Sequence, residues 1–280
     1  MATIDGHVPP LRNCLRRRYA RGTKLMNNET DRVYAPGGGQ HHARSDLASG
    51  FCFFNEPVLS ILTMLEYGAK RVFYLDLDAH HGNGTEQIFY ASDDVLFVSF
   101  HQHPWFPGTG DCLRSGTEAG LGYNYNIAMP TWSDNTSYKQ GFSEIVIPLA
   151  EKFKPQIILV SMGYDAHWMD HSSVLGLSVH GYYDLTKSIK DLASRICSDR
   201  LVFVLEGGYN LVATQECLVA TFNALVGKSK FIDTFGLCPN KPVATPDQTI
   251  VFLKGLMEFM HGAKEKSFYD MPVEVPYNTE

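Results

Sequence analysis

Short apolar runs recur along the chain, and each breaks into a polar or glycine-rich stretch. The run at 71–77 passes through Asp76, Asp78, His80 and His81 into Gly82-Asn83-Gly84. The run at 32–35 opens into three glycines and then Gln40-His41-His42, and that at 95–100 opens into His101-Gln102-His103. Those at 156–162 and 201–205 open into Gly163-Tyr164-Asp165-Ala166-His167 and Glu206-Gly207-Gly208-Tyr209-Asn210. Apolar runs of this length, bounded by turn residues, predict buried strands. Helix-like stretches lie between them at 56–68, 135–153, 181–196 and 211–226. A last amphipathic helix at 249–261 follows a proline-rich loop at 238–246. Strand alternating with helix predicts an α/β fold, a single three-layer α/β/α domain on a mainly parallel sheet. Ligands bind beyond the carboxyl ends of strands in such sheets. One site at that end is the simplest account of five polar strand ends.

The 280 residues, 44% of them hydrophobic, suit one large domain with an ample core. We place it at 31–280, behind an N-terminal segment, 1–30, that has no clear counterpart. The net charge of −6 argues against an electrostatic nucleic-acid binder. Arg12, Arg16, Arg17, Arg18 and Arg21 form the nearest approach to a basic patch and read as a solvated helix face or an arm. The six cysteines (14, 52, 112, 197, 217, 238) include no C-x-x-C pair, so neither a disulfide framework nor a zinc finger is expected. No signal peptide and no membrane-length apolar run is seen, which makes a reducing, cytoplasmic setting the expectation.

The chemistry concentrates in the strand ends. Asp76, Asp78 and His80 alternate, and alternate side chains on an extended backbone point the same way, so the three could converge on a metal ion. Nine of the eleven histidines lie between positions 41 and 180, where they can serve as ligands or bases. His41 and His42 cannot share one face of a strand. On an irregular loop after three glycines, both rings can be aimed at one centre.

Five motifs in order resemble the zinc-dependent deacetylases, the group of histone deacetylases, acetoin-utilisation proteins and acetylpolyamine amidohydrolases with the arginase–deacetylase fold. They are the tandem-histidine block at 40–55, DLDAHHGNGT at 76–85, FPGTG at 106–110, GYDAH at 163–167 and EGGYN at 206–210. The likeness covers roughly residues 33–227. It implies an amide hydrolase that removes acetyl or related acyl groups from lysine side chains, polyamines or small amines. By the resemblance, Asp78, His80 and Asp165 hold Zn²⁺, with Fe²⁺ or another divalent ion as a competitor. His42 is the general base and His41 its electrostatic partner. Asp76 orients His41, Asn83 orients His42, and Tyr209 donates its hydroxyl to the oxyanion. Phe51 and Phe106, with Gly50, Gly207 and Gly208, line a narrow channel for the substrate's linear chain. A monovalent cation, K⁺, is implied near Asp76, Asp78, His80, Ser99 and Phe100, and a second near Phe89, Ser92, Val95 and Tyr125.

One departure stands out. Family members usually carry a longer stretch before the tandem histidines, and the rim acid that grips substrate has no identifiable equivalent here. The fold is therefore expected to be shortened at its N-terminal side, with an exposed edge that invites homo-oligomerisation. A catalytically weak member that binds acylated ligands or a protein partner is the alternative reading. A manganese ureohydrolase on the same fold is a third, which would want more carboxylates and leave Tyr209 without a role.

Overall fold

The computed structural model describes residues 24–244 and 247–262. The arginine-rich stretch 12–21 and Cys14 lie outside these residues. Six strands form one parallel sheet: β1 (Arg32–Ala35), β2 (Val72–Asp76), β3 (Val95–Gln102), β4 (Asn124–Met129), β5 (Ile157–Met162) and β6 (Leu201–Leu205), in the order β1-β6-β5-β2-β3-β4. All pairings are parallel, so every carboxyl end emerges on the same rim. At that rim Asp76 stands level with Ser99 of β3 and Ser161 of β5.

The helices are α1 (Glu56–Glu66), α2 (Asn83–Phe89), α3 (Asn135–Gly141), α4 (Ile147–Phe153), α5 (Val179–Ile196), α6 (Leu211–Leu225) and α7 (Asp247–Gly262). They cover both sheet faces. The larger core includes Phe73, Leu75, Val160 and Phe203, and the smaller one on the opposite face includes Val72, Tyr74, Leu159 and Val204. Neighbouring side chains on one strand therefore alternate between the cores and those two apart share one, as the period of a strand requires.

Three elements depart from the sequence reading, the short helix α2 among them, which no predicted stretch covers. The stretch at 135–153 is not one α-helix. A π-helical segment, Phe142–Val146, joins α3 to α4, and Pro148 in the first turn of α4 brings no backbone donor to that junction. Strand β4 was not foreseen, because Asn124 and Asn126 interrupt its apolar pattern. Both amides donate to the buried carboxylate of Glu86 (3.0 and 2.8 Å). A buried polar residue on a strand is tolerated when a partner satisfies it.

Cys52, Cys112, Cys197, Cys217 and Cys238 are free thiols. No helix among the described residues is long and apolar enough to cross a membrane.

Candidate metal centre

The loops after β1, β2, β3, β5 and β6 meet above the carboxyl rim. Gln40, His41 and His42 lie on the first. The half-buried carboxylate of Glu206, at the end of β6, accepts from the Gln40 and His41 backbone N–H groups (2.6 and 3.2 Å). Asn55 holds the loop from the other side. Its Oδ1 accepts from Val58 N (3.0 Å) as the cap of α1, while its amide nitrogen lies 3.2 Å from His41 O and 3.0 Å from Ala43 O. A helix cap satisfies backbone donors that would otherwise lack partners; here the same side chain also fixes the histidine pair.

The two rings sit 4.0 Å apart between centroids, with their Nε2 atoms 3.1 Å apart. His41 Nδ1 is 2.8 Å from Asp76 Oδ2 and His42 Nδ1 is 2.8 Å from Asn83 Oδ1. Burial works against charge on His41, yet Asp76, Glu206 and Asp78 together raise its pKa well above the ordinary imidazole value. Burial, and then the neighbouring His41 cation, push His42 down to about 3. One ring thus holds a proton while the other resists one, which separates their chemical roles.

Asp76 faces inward to a buried hydroxyl chain. Tyr74 Oη lies 2.7 Å from Asp76 Oδ2 and 2.9 Å from Ser161 Oγ, and Ser161 Oγ lies 2.7 Å from Glu206 Oε1. The alternating trio of the sequence therefore divides: Asp76 turns to His41, and Asp78 and His80 turn to Asp165. The ligand atoms of Asp78, His80 and Asp165, all buried, lie within 4.8 Å of one another. His80 Nδ1 is 3.0 Å from Asp78 Oδ1 and 2.9 Å from Asp165 Oδ2. The remaining carboxylate oxygens accept from backbone: Asp78 Oδ2 from Gly207 N and Asp165 Oδ1 from Ala79 N, both at 2.9 Å.

This donor set fits a divalent cation. Burial, and then the charge of Asp78, raise the Asp165 pKa, while His41 and His80 hold Asp78 low against its burial. Two carboxylates this close are stable as anions only beside positive charge. The backbone is cut to the same shape, since a Cβ at Gly207 would lie 2.3 Å from Asp165 Oδ2. Among the described residues this is the one cluster with metal-ligand spacing.

A cavity of about 530 Å³ opens over the cluster, lined by His42, Gly50, Phe51, His80, Phe106, His171, Ser172 and Tyr209. Phe106 meets His42 edge-on at 5.2 Å. Phe51, 86% exposed, meets Tyr209 at 6.4 Å. Gly50 has φ +53°, and a Cβ there would lie 2.3 Å from the His42 ring. Gly207 and Gly208 line a smaller cavity of about 190 Å³ beside it. Of the residues named for monovalent ions, Ser99 stands level with Asp76. In the second set, Phe89 O already accepts from Ser92 N (3.0 Å), and Tyr125 stands opposite Val98 of β3.

The histone deacetylase domain family model matches residues 18–225. The chain belongs to this family. It is 41% identical over 196 residues to "Histone deacetylase 14, chloroplastic" of Arabidopsis thaliana, covering 70% of this chain and 46% of that one. It is 36% identical over 209 residues to the "Histone deacetylase-like amidohydrolase" of Pseudomonas aeruginosa, covering 72% and 54%. The crystal structure of the HDA15 HD domain superposes with a TM-score of 0.77 at 29% identity, covering 88% of this chain and 67% of that one. The chain thus spans about half the length of these curated relatives, and its sheet and helices are those of the arginase–deacetylase fold.

Three site residues escaped the sequence reading. Asp170 Oδ2 accepts from Tyr209 N (2.6 Å) and Asn210 N (2.9 Å), holding the glycine-rich turn. Glu206 anchors the histidine loop. Ser172 presents its carbonyl to Trp105 Nε1 (2.8 Å) and His80 Nε2 (3.3 Å). Glu206 had a signal, an acid ending an apolar strand. A backbone carbonyl has none.

Proposed function

We propose that this chain is a metal-dependent amide hydrolase that removes acetyl or related acyl groups from lysine side chains or other amines. The observation that carries the reading is the convergence of Asp78, His80 and Asp165 with the His41–His42 pair and Tyr209 around one cavity. A binding module has no use for a general base and an oxyanion donor together.

Asp78, His80 and Asp165 hold the metal, Zn²⁺ by the family pattern with Fe²⁺ as a competitor. The ion supplies Lewis acidity to the amide carbonyl and to water. His42 keeps its Nδ1 proton on Asn83, so Nε2 has the lone pair that takes a proton from water and later returns it to the departing amine. His41, charged and fixed by Asp76, orders that pair. Tyr209, held by Asp170, offers its hydroxyl to the developing oxyanion. Phe51 and Phe106 flank the substrate's chain. A K⁺ ion near Asp76, Ser99 and Phe100 belongs to the same reading.

The test is a panel of acetyl-lysine peptides, acetylpolyamines and longer acyl-lysines, offered to protein of measured metal content beside an Asp165→Ala variant. Acetate or acyl release by the first and not the second supports the proposal. Turnover of no substrate by metal-loaded protein favours the alternative, a member that binds acylated ligands or a protein partner. A manganese ureohydrolase is disfavoured by the single ligand cluster among the described residues.

A further inference from the structure

Around the cavity is a collar of apolar side chains outside both cores: Phe51 and Phe106 line the cavity, and Phe53, Trp105, Met169 and Leu211 each lie within two residues of a lining residue. Phe51 and Phe53, on the loop after the tandem histidines, are 86% and 72% exposed. Trp105 and Phe106 on the loop after β3, Met169 on the loop after β5 and Leu211 at the start of α6 are also exposed. Hydrogen bonds between the loops tie the collar together. Trp105 Nε1 donates to Ser172 O (2.8 Å), and Asn210, next to Leu211, donates to Met169 O (3.0 Å). Exposed apolar groups on four linked loops that all contribute residues to one opening mark a binding surface rather than scattered surface residues.

Charge selects the occupant. None of the described residues lining the cavity is a carboxylate. Asp170, beneath the mouth, is buried, and its oxygens are engaged by Tyr209 N and Asn210 N on one side and by Ser172 N (2.9 Å) and Oγ (2.7 Å) on the other. His171, which does line the mouth, can add only positive charge. A polycationic amine would lose hydration at this opening without meeting an anion among the described residues that line it, the carboxylates of the adjoining smaller cavity being Asp78, a metal ligand, and Glu206, which the histidine loop engages.

Resting on the proposed amidohydrolase reading, we infer that the collar selects acylated amines whose amine side is apolar and uncharged, such as acetyl-lysine flanked by aromatic or aliphatic residues, over acetylpolyamines and basic peptides. Area removed from water at the collar then lowers KM, with the chemistry below unchanged.

The experiment compares kcat/KM of the metal-loaded full chain on four substrates: free acetyl-lysine, the same acetyl-lysine peptide flanked by Phe and Leu or by Lys, and acetylspermidine. A Phe53→Ser/Leu211→Ser double variant, which touches no residue placed in the machinery, is measured beside it. The apolar peptide is expected to exceed the basic peptide and acetylspermidine by roughly tenfold or more, and most of that margin is lost in the double variant. Free acetyl-lysine is turned over equally by both. Equal or better use of acetylspermidine or the basic peptide overturns the inference, as does a preference that survives the double substitution. Should nothing be turned over, the deacetylase reading itself has failed. Equilibrium binding of the fluorescent peptides then decides the collar: tighter binding of the apolar peptide that the double variant loses supports it, and equal binding overturns it.

Discussion

Asn83 Oδ1 lies 2.8 Å from His42 Nδ1, while the adjoining His41 ring is held at the same distance by a carboxylate, that of Asp76. The pair is thus polarised by its partners. An amide leaves His42 without the negative charge that favours an imidazolium, and burial beside the His41 cation keeps it neutral far below its ordinary value.

Asn83→Asp therefore raises the His42 pKa. As the proposed base, His42 works when unprotonated, so the acidic limb of kcat/KM against pH is expected to move to higher pH, by about 1–3 units. A limb that stays in place contradicts His42 as the titrating base.

Gly207→Ala drives a Cβ to within 2.3 Å of the Asp165 carboxylate. Metal affinity is expected to fall on the order of 10–100-fold, measured by competition with a chelator, with thermal unfolding recorded beside it to show that the sheet persists.

Asp170→Asn places an amide where four donors converge on the carboxylate: Tyr209 N, Asn210 N, Ser172 N and Ser172 Oγ. The turn that carries Tyr209 loosens. The expected result is a fall in kcat of about 10²-fold, the scale of a lost oxyanion donor, with metal content unchanged. Loss of metal in proportion to activity would show that Asp170 acts on the ligands instead.

Glu86 tests the fold away from the metal. Its burial opposes ionisation, yet His81, Arg114 and Asn126 depress its pKa below the usual carboxylate value. A depressed acid contributes stability that is full above the unfolded value near 4.5 and is lost as pH falls toward the folded one. Glu86→Gln should cost roughly 1–3 kcal/mol at pH 7 and flatten the stability loss between pH 5 and pH 3, read by urea denaturation.

Much of this arrangement was legible in the chain because a parallel sheet gathers its strand ends, so motifs scattered from Gln40 to Asn210 had to meet. Residues with their own motif, such as Asp165 in GYDAH, could be placed from sequence. The ring partners Asp76 and Asn83 came with the family pattern. Strand β4 stayed hidden because the amide nitrogens of Asn124 and Asn126 donate to Glu86, a pairing that exists only after folding. Asp170 stayed hidden because three of its four donors are backbone N–H groups, which every residue but proline carries. The division of Asp76 from Asp78 and His80 is likewise tertiary. Alternation put all three on one side, and the loop after β2 then turned two of them away to Asp165.

The central claim is one divalent ion held by Asp78, His80 and Asp165 and required for amide hydrolysis. Its most direct test is titration of chelator-stripped protein with Zn²⁺ or Fe²⁺, following bound metal and acetate release from an acetyl-lysine peptide together. The account predicts that activity rises in proportion to bound metal and saturates at one equivalent, with Asp165→Ala failing on both measures. Hydrolysis that persists in the stripped protein, or one equivalent bound tightly by Asp165→Ala, contradicts it.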